Sequence, residues 1–187
     1  PVIEDACQAF GAAGLGFADL TCFSFHPMKV LGAMGDGGAI AGSDPALRDR
    51  LLMLRHHGER GVNSRLDAIQ AAILNVKLRH LDRWLARRAQ LARQYDAAFR
   101  AADLVHTVSD RFDVPPHMSG RVWSSYVLRL GSGYAETLYG QLNRRDVQGS
   151  VIDPHRLALP LYPQLTDDEQ TRVVEAVTYA FFDVEIP

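Results

Sequence analysis

Lys29 is the only basic residue among the first 45 positions. It closes Ser24-Phe25-His26-Pro27-Met28-Lys29, behind an apolar run and ahead of the glycine-rich Gly32-Ala33-Met34-Gly35-Asp36-Gly37-Gly38. An ammonium held among apolar side chains has its charged form disfavoured, so its pKa falls. The neutral amine is then a nucleophile that can form a Schiff base with a carbonyl. The competing reading is a lysine at a strand end whose stem lies on apolar surface while its head reaches water. Glu4-Asp5 ends the opening apolar run. A carboxylate at the C-terminal end of a buried strand points into the crevice where α/β sheets bind ligands. Otherwise Asp5 is a cap or turn residue. Asp5 precedes Lys29 by 24 positions, room for one short crossover to a neighbouring strand. Pyridoxal phosphate wants both groups, a lysine for the Schiff base and an acid beside the pyridine nitrogen. The acid keeps that nitrogen protonated, so the ring can absorb electrons when a substrate Cα–H bond breaks.

The other reactive side chains point to less. His56-His57 and His155 show no H-x-x-x-H or Cys–His spacing, so no metal site is expected. Gly35-Asp36-Gly37-Gly38 lacks the G-x-G-x-x-G spacing of a dinucleotide fingerprint. Cys7 and Cys22 are too few for a disulfide framework and read as small buried apolar residues in a reducing, cytoplasmic compartment.

Elements must hold these groups in place. Val2–Ile3, Leu20–Phe25 and Gly38–Ala41 read as strand pieces, short apolar runs of the kind found in buried parallel sheets. Asp44–Pro45 turns into a helix over Ala46–His56. Val62 to Val114 contains no Gly and no Pro, and Ser64 with Asp67 makes a weak capping-box start. Leu66, Ile69, Ile73, Val76, Leu81, Trp84, Leu91, Tyr95 and Phe99 recur at three- and four-residue spacing, so one long helix or two consecutive ones carry an apolar face. Pro115–Pro116 and Gly120 break the chain. A strand over Val122–Leu130 and a helix over Tyr134–Arg145 follow. Leu159-Pro160-Leu161-Tyr162-Pro163 is extended, and Thr166 caps a last helix whose first turn is acidic.

The whole chain of 187 residues is 47 % hydrophobic and 22 % charged, a globular composition with room for one or two domains. A net charge of −2 argues against a nucleic-acid binder, and no apolar run approaches the length that spans a bilayer. Residues 46–100 hold twelve basic side chains against five acidic ones. That basic middle could attract a phosphorylated substrate, although a solvated helical face explains most of its arginines.

Ile3-Glu4-Asp5-Ala6-Cys7-Gln8-Ala9-Phe10-Gly11, Cys22 to Lys29, Gly35-Asp36-Gly37-Gly38-Ala39 and Gly61-Val62-Asn63-Ser64-Arg65-Leu66-Asp67 with Gln70-Ala71-Ala72 together resemble the DegT/DnrJ/EryC1/StrS family, pyridoxal-phosphate sugar aminotransferases of fold type I. The resemblance is close over residues 1 to about 100 and looser beyond. It implies that Lys29 carries the cofactor and shuttles a proton, that Asp5 pairs with the pyridine nitrogen, and that Gln8 lies near the ring and its phenolic oxygen. It implies a phosphate-binding hydroxyl at Ser24 and an Asn63 that reaches from one subunit of a homodimer to the phosphate held by the other. Arg65 would hold the loop, and the His26 ring would pack near the cofactor. The implied reaction moves an amino group, with glutamate as donor, onto a keto sugar linked to a nucleotide diphosphate. Members acting on UDP-linked 3-keto sugars look nearest.

The implied fold is α/β. Residues 1–98 would be the C-terminal part of a large, parallel-rich cofactor-binding domain, and 99–187 a small α+β domain. The chain therefore reads as the C-terminal portion of a longer family pattern, with short stretches at Gly11–Asp19, Gly58–Gly61 and Val151–Leu159 where relatives carry longer loops. A non-catalytic homologue that keeps only the dimerising scaffold is the alternative. A dehydratase relative is disfavoured, since those replace the Schiff-base lysine with His.

Overall fold

The structure is a computed structural model describing residues 1–56, 63–102, 104, 122–131 and 133–182. The loop read at 58–61 and the breakers Pro115–Pro116 and Gly120 lie outside the described residues. The described residues fall into two compact units, one up to Arg83 together with Val122, the other from Trp84 onward.

The first unit is built on three strands, β1 (Ile3–Asp5), β2 (Leu20–Ser24) and β3 (Gly38–Ala41), in the order β1-β2-β3. β1 and β2 are parallel, with Asp5 opposite Cys22. β3 runs antiparallel to β2, with Gly38 opposite Ser24. The apolar runs read as buried strands, yet all four β3 residues are exposed, and Ile3 and Ile40 are more than half exposed. Alternation is absent here because no described element covers these side chains, and a run of apolar letters cannot distinguish that from burial on two faces.

Three helices follow the strands. α1 (Pro45–Arg55) starts as expected at Asp44, whose carboxylate accepts from the Ala46 N–H at 2.8 Å, with proline in the first turn where no hydrogen bond is lost. The apolar periodicity of the long glycine-free stretch resolves into two helices, α2 (Ala68–Leu78) and α3 (Leu81–Ala101), parted at Arg79–His80. Asp67, not Ser64, is the cap of α2, accepting from the Ile69 N–H at 2.7 Å. Ser64 instead donates its N–H to the Arg55 carbonyl at 2.9 Å. The predicted apolar face divides in the same way. Leu91, Tyr95 and Phe99 of α3 are at most 1 % exposed, whereas Ile69 and Val76 of α2 are 69 % and 57 % exposed.

The second unit packs β4 (Tyr126–Arg129), β5 (Ser150–Asp153) and β6 (Arg156–Leu159), in the order β4-β6-β5 and all antiparallel, with α4 (Tyr134–Asn143) and α5 (Asp167–Phe182). Val151–Leu159 lies within the β5–β6 hairpin. Asp153 makes its turn, accepting from the His155 N–H at 2.9 Å and from Arg156 Nε at 2.7 Å. Its core joins Leu91, Tyr95 and Phe99 to Leu128, Leu138, Leu142, Leu157 and Val177. Thr166 caps α5 as expected, in a reciprocal box with Glu169: the Glu169 N–H donates to Thr166 Oγ1 at 3.2 Å and the Thr166 N–H to Glu169 Oε2 at 2.8 Å. Arg88 departs from the expected solvated helical face. It is 7 % exposed, and its Nη1 donates to the carbonyls of Leu161 (2.6 Å), Ser124 (3.2 Å) and Trp123 (3.4 Å).

Candidate active site

Parallel pairing puts the C-terminal ends of β1 and β2 side by side, and the expected chemistry gathers there. Asp5 is the last residue of β1, Ser24 is the last of β2, and Lys29 lies in the turn that leaves β2. Successive strand residues point to opposite faces, which separates the roles of Glu4 and Asp5. Glu4 Oε2 accepts from Thr21 Oγ1 at 2.8 Å and from the Gly16 N–H at 2.9 Å, so that carboxylate ties the β1–β2 connection together. Asp5 faces the other way, exposed, with Oδ1 accepting from the Cys7 N–H at 3.0 Å.

A hydrogen bond from the Cys7 thiol, the Cys7 N–H and the positive charge of Lys29 hold the Asp5 carboxyl below its ordinary pKa, against the opposing effect of burial. The same contact with Asp5, with burial and the Asp5 charge, pushes the Cys7 thiol up, and the Lys29 charge partly offsets this. Cys7 and Cys22 are both half-buried free cysteines, and Cys7 Sγ also lies 3.8 Å from the Cys22 carbonyl. Cys7 is therefore not the inert apolar filler that composition suggested. Its N–H donates to the acid at 3.0 Å and its thiol faces the Cys22 carbonyl on the neighbouring strand.

The Lys29 turn is tightly built. The Lys29 N–H donates to the His26 carbonyl at 2.8 Å, and His26 Nδ1 accepts from the Met28 N–H at 3.2 Å. His26 thus spends one ring nitrogen on shaping the turn. Ser24 Oγ accepts from the His26 N–H at 3.3 Å and still carries its own proton to donate. Gln8 sits exposed in the turn after β1. Asn63 lies elsewhere in the unit, bridged to His56 at the end of α1, with Oδ1 accepting from Arg65 N at 3.4 Å and Arg65 Nε at 3.3 Å. Arg65 is thereby engaged in holding its own loop. Asp5, Ser24 and Lys29, with Gln8 three residues beyond Asp5, lie at the C-terminal ends of β1 and β2; Asn63 belongs to a different segment.

A cavity of about 990 Å³ lies between the β2–β3 ribbon and α1, lined by Phe23, Ile40, Leu51, Leu54 and neighbours. None of the expected site residues lines it, and its wall is mostly apolar. Among the described residues, no group of three or more His, Cys, Asp or Glu could hold a metal ion, and no helix is long and apolar enough to cross a membrane.

Known proteins place this architecture. The erythromycin biosynthesis sensory transduction protein EryC1 of Saccharopolyspora erythraea is 46 % identical over 112 residues, 53 % of this chain and 31 % of its own. The UDP-2-acetamido-2-deoxy-3-oxo-D-glucuronate aminotransferase of Pseudomonas aeruginosa is 42 % identical over 182 residues, 90 % of this chain and 48 % of its own. The crystal structure of S. venezuelae DesV superposes with a TM-score of 0.83 at 30 % identity, covering 98 % of this chain and 58 % of that one. NtdA of Bacillus subtilis, solved with bound cofactor PMP, gives a TM-score of 0.80 at 28 % identity, covering 96 % of this chain and 50 % of that one. The chain thus spans about half or less of the length of the curated relatives quoted, and it shares its α/β fold with aminotransferases of fold type I. The profile of the DegT/DnrJ/EryC1/StrS aminotransferase family matches residues 1–157, and the chain belongs to that family.

Proposed function

We propose that the protein works as a pyridoxal-phosphate aminotransferase that moves an amino group from an amino acid, with glutamate as donor, to a keto sugar carried on a nucleotide. The observation that carries this reading is topological: Asp5 ends β1, and Lys29 lies in the turn that leaves β2, its parallel neighbour. The donor set fits the cofactor: an acid held ionised, an amine in its electrostatic reach and a neutral hydroxyl on the same edge. When bound, pyridoxal phosphate supplies the electron sink that lets an amino group leave one carbon for another.

The chain's own residues do the rest. Asp5, kept as a carboxylate, holds a proton on the pyridine nitrogen. Lys29 would hold the cofactor through its amine and would serve as the base that moves a proton at the substrate carbon. Ser24 would hold the phosphate with its hydroxyl, and Gln8 would help to orient the ring. Asn63, held beside His56 and Arg65, would reach the phosphate at the site of a second subunit. The sugar substrate follows from relatives such as the Pseudomonas aeruginosa enzyme, named for a UDP-linked 3-oxo sugar. Residues up to about 98 would then belong to the cofactor-binding domain and the remainder to a smaller one.

The test is direct. Incubation with pyridoxal phosphate should turn the protein yellow, and borohydride should then fix the cofactor on Lys29. The chain has two lysines, so peptide mapping needs to distinguish Lys29 only from Lys77. Lys29→Ala should abolish the label and transamination. A colourless protein, or a label on Lys77, would overturn the reading and favour the non-catalytic scaffold.

A further inference from the structure

α2 lays two polar side chains against the loop that follows Lys29. Lys77 Nζ donates to the Gly32 carbonyl at 2.6 Å, and Gln70 Oε1 accepts from the Met34 N–H at 2.9 Å. The two residues are seven apart, so they share one side of the helix two turns from each other. Both bonds join segments more than 30 residues distant in sequence. Lys77 is half-buried and Gly32 is buried, and an ammonium on a carbonyl away from bulk water is a charge-assisted bond of the stronger kind.

That loop is in turn pressed onto the Lys29 turn. A Cβ on Gly32 would stand 2.5 Å from the Pro27 carbonyl oxygen and 2.9 Å from that of His26. The His26 carbonyl is the one that accepts the Lys29 N–H, and Ala33 N–H donates to the Phe25 carbonyl at 2.8 Å. Contact therefore runs without a gap from Lys77 to Gly32, from Gly32 to His26–Pro27, and from His26 to Lys29.

We propose that Lys77, seconded by Gln70, is a positioning residue for Lys29: it straps the 32–34 loop to α2 and so fixes where the Lys29 amine stands relative to Asp5. The proposal rests on the reading of Lys29 as the amine that takes the cofactor. Lys77 acts through the Gly32 carbonyl, and its own amine is committed to that bond. A reacting amine held in one place works at a far higher effective concentration than one that wanders, which is what the strap would secure.

Three variants test it. Lys77→Met keeps the stem and removes the donor, Lys77→Arg keeps a charged donor, and Gln70→Leu cuts the second bond. The first readout uses no cofactor: amide hydrogen exchange over residues 29–34. The second is the rate at which pyridoxal phosphate and borohydride label Lys29, mapped by peptide. Lys77→Met should speed exchange in that segment and slow labelling, each by about tenfold, the size set by one lost charge-assisted hydrogen bond. Lys77→Arg should restore both, and Gln70→Leu should move both in the same direction as Lys77→Met. If Lys77→Met does not fold, Gln70→Leu carries the test. Faster exchange with labelling unchanged would leave only a structural strap and overturn the proposal, as would no change in either. A wild-type protein that is never labelled at Lys29 would sink the functional reading and this one with it. Normal wild-type labelling with unaffected variants would sink the strap alone.

Discussion

At the scale of single residues, neighbours decide which of two adjacent carboxylates is available for chemistry. Glu4 is consumed by Thr21 and Gly16, while Asp5 keeps one face free and is held ionised by Cys7 and Lys29. Because its folded-state pKa is depressed, Asp5 favours the native state at any pH above its ordinary value, and that contribution is lost as pH falls through the lowered value. Carbon-13 NMR should therefore find Asp5 titrating below the ordinary carboxylate range. The thiol of Cys7 is the largest cause, so Cys7→Ala should raise the Asp5 midpoint and Cys7→Ser should largely restore it. An unmoved midpoint in Cys7→Ala would show that the backbone N–H alone holds the acid. The place of Asp5 at the end of a strand was legible from the apolar run before it. The part played by Cys7 was not read, although an acid accepting from the N–H two residues on is a local turn pattern.

Elements impose the next constraint, and Gly32 shows how tightly. Its missing side chain lets the 32–34 loop sit on the His26–Pro27 backbone, where a Cβ would have to displace peptide atoms and not a flexible side chain. Gly32→Ala should cost about 1–3 kcal/mol by overpacking, read as a lower denaturant midpoint. α2 supplies a second case, since removing the carboxylate that caps it in Asp67→Ala should cost about 1 kcal/mol. In the second unit, Arg88→Met would strip the donor from three carbonyls around a guanidinium only 7 % exposed, and the expected loss is about 1–3 kcal/mol by the same measurement. Helices were largely visible in the sequence because caps and periodicity are local: Asp44, Thr166 and the Leu91–Tyr95–Phe99 stripe mark them. β5 and β6 were missed because each is four residues long, around Pro154–His155, and carries charged or polar letters such as Ser150 and Arg156. Their pairing is a non-local fact that four-residue windows do not encode.

For the molecule as a whole, α2 has two working sides. Gln70 and Lys77 face the Lys29 loop, and one position round the helix Ile69 and Val76, also seven apart, present large apolar side chains that are 69 % and 57 % exposed. Exposed apolar side chains repeating on one helix side suit a subunit contact better than water. If the protein is a homodimer built over this helix, Val76→Asp should shift sedimentation velocity to the monomer while leaving far-UV circular dichroism unchanged. A stronger prediction follows from Asn63, which is proposed to serve the neighbouring subunit's cofactor. Lys29→Ala and Asn63→Ala homodimers should each be nearly inactive. Unfolding and refolding an equal mixture gives half heterodimers by chance, and in each of these one of the two sites combines an intact Lys29 with an intact Asn63 from the other subunit. Activity should return to about a quarter of the wild-type value for a twofold-symmetric pair with shared sites. No recovery on mixing would mean that Asn63 serves its own subunit or neither, because a site assembled within one chain leaves both halves of every heterodimer defective.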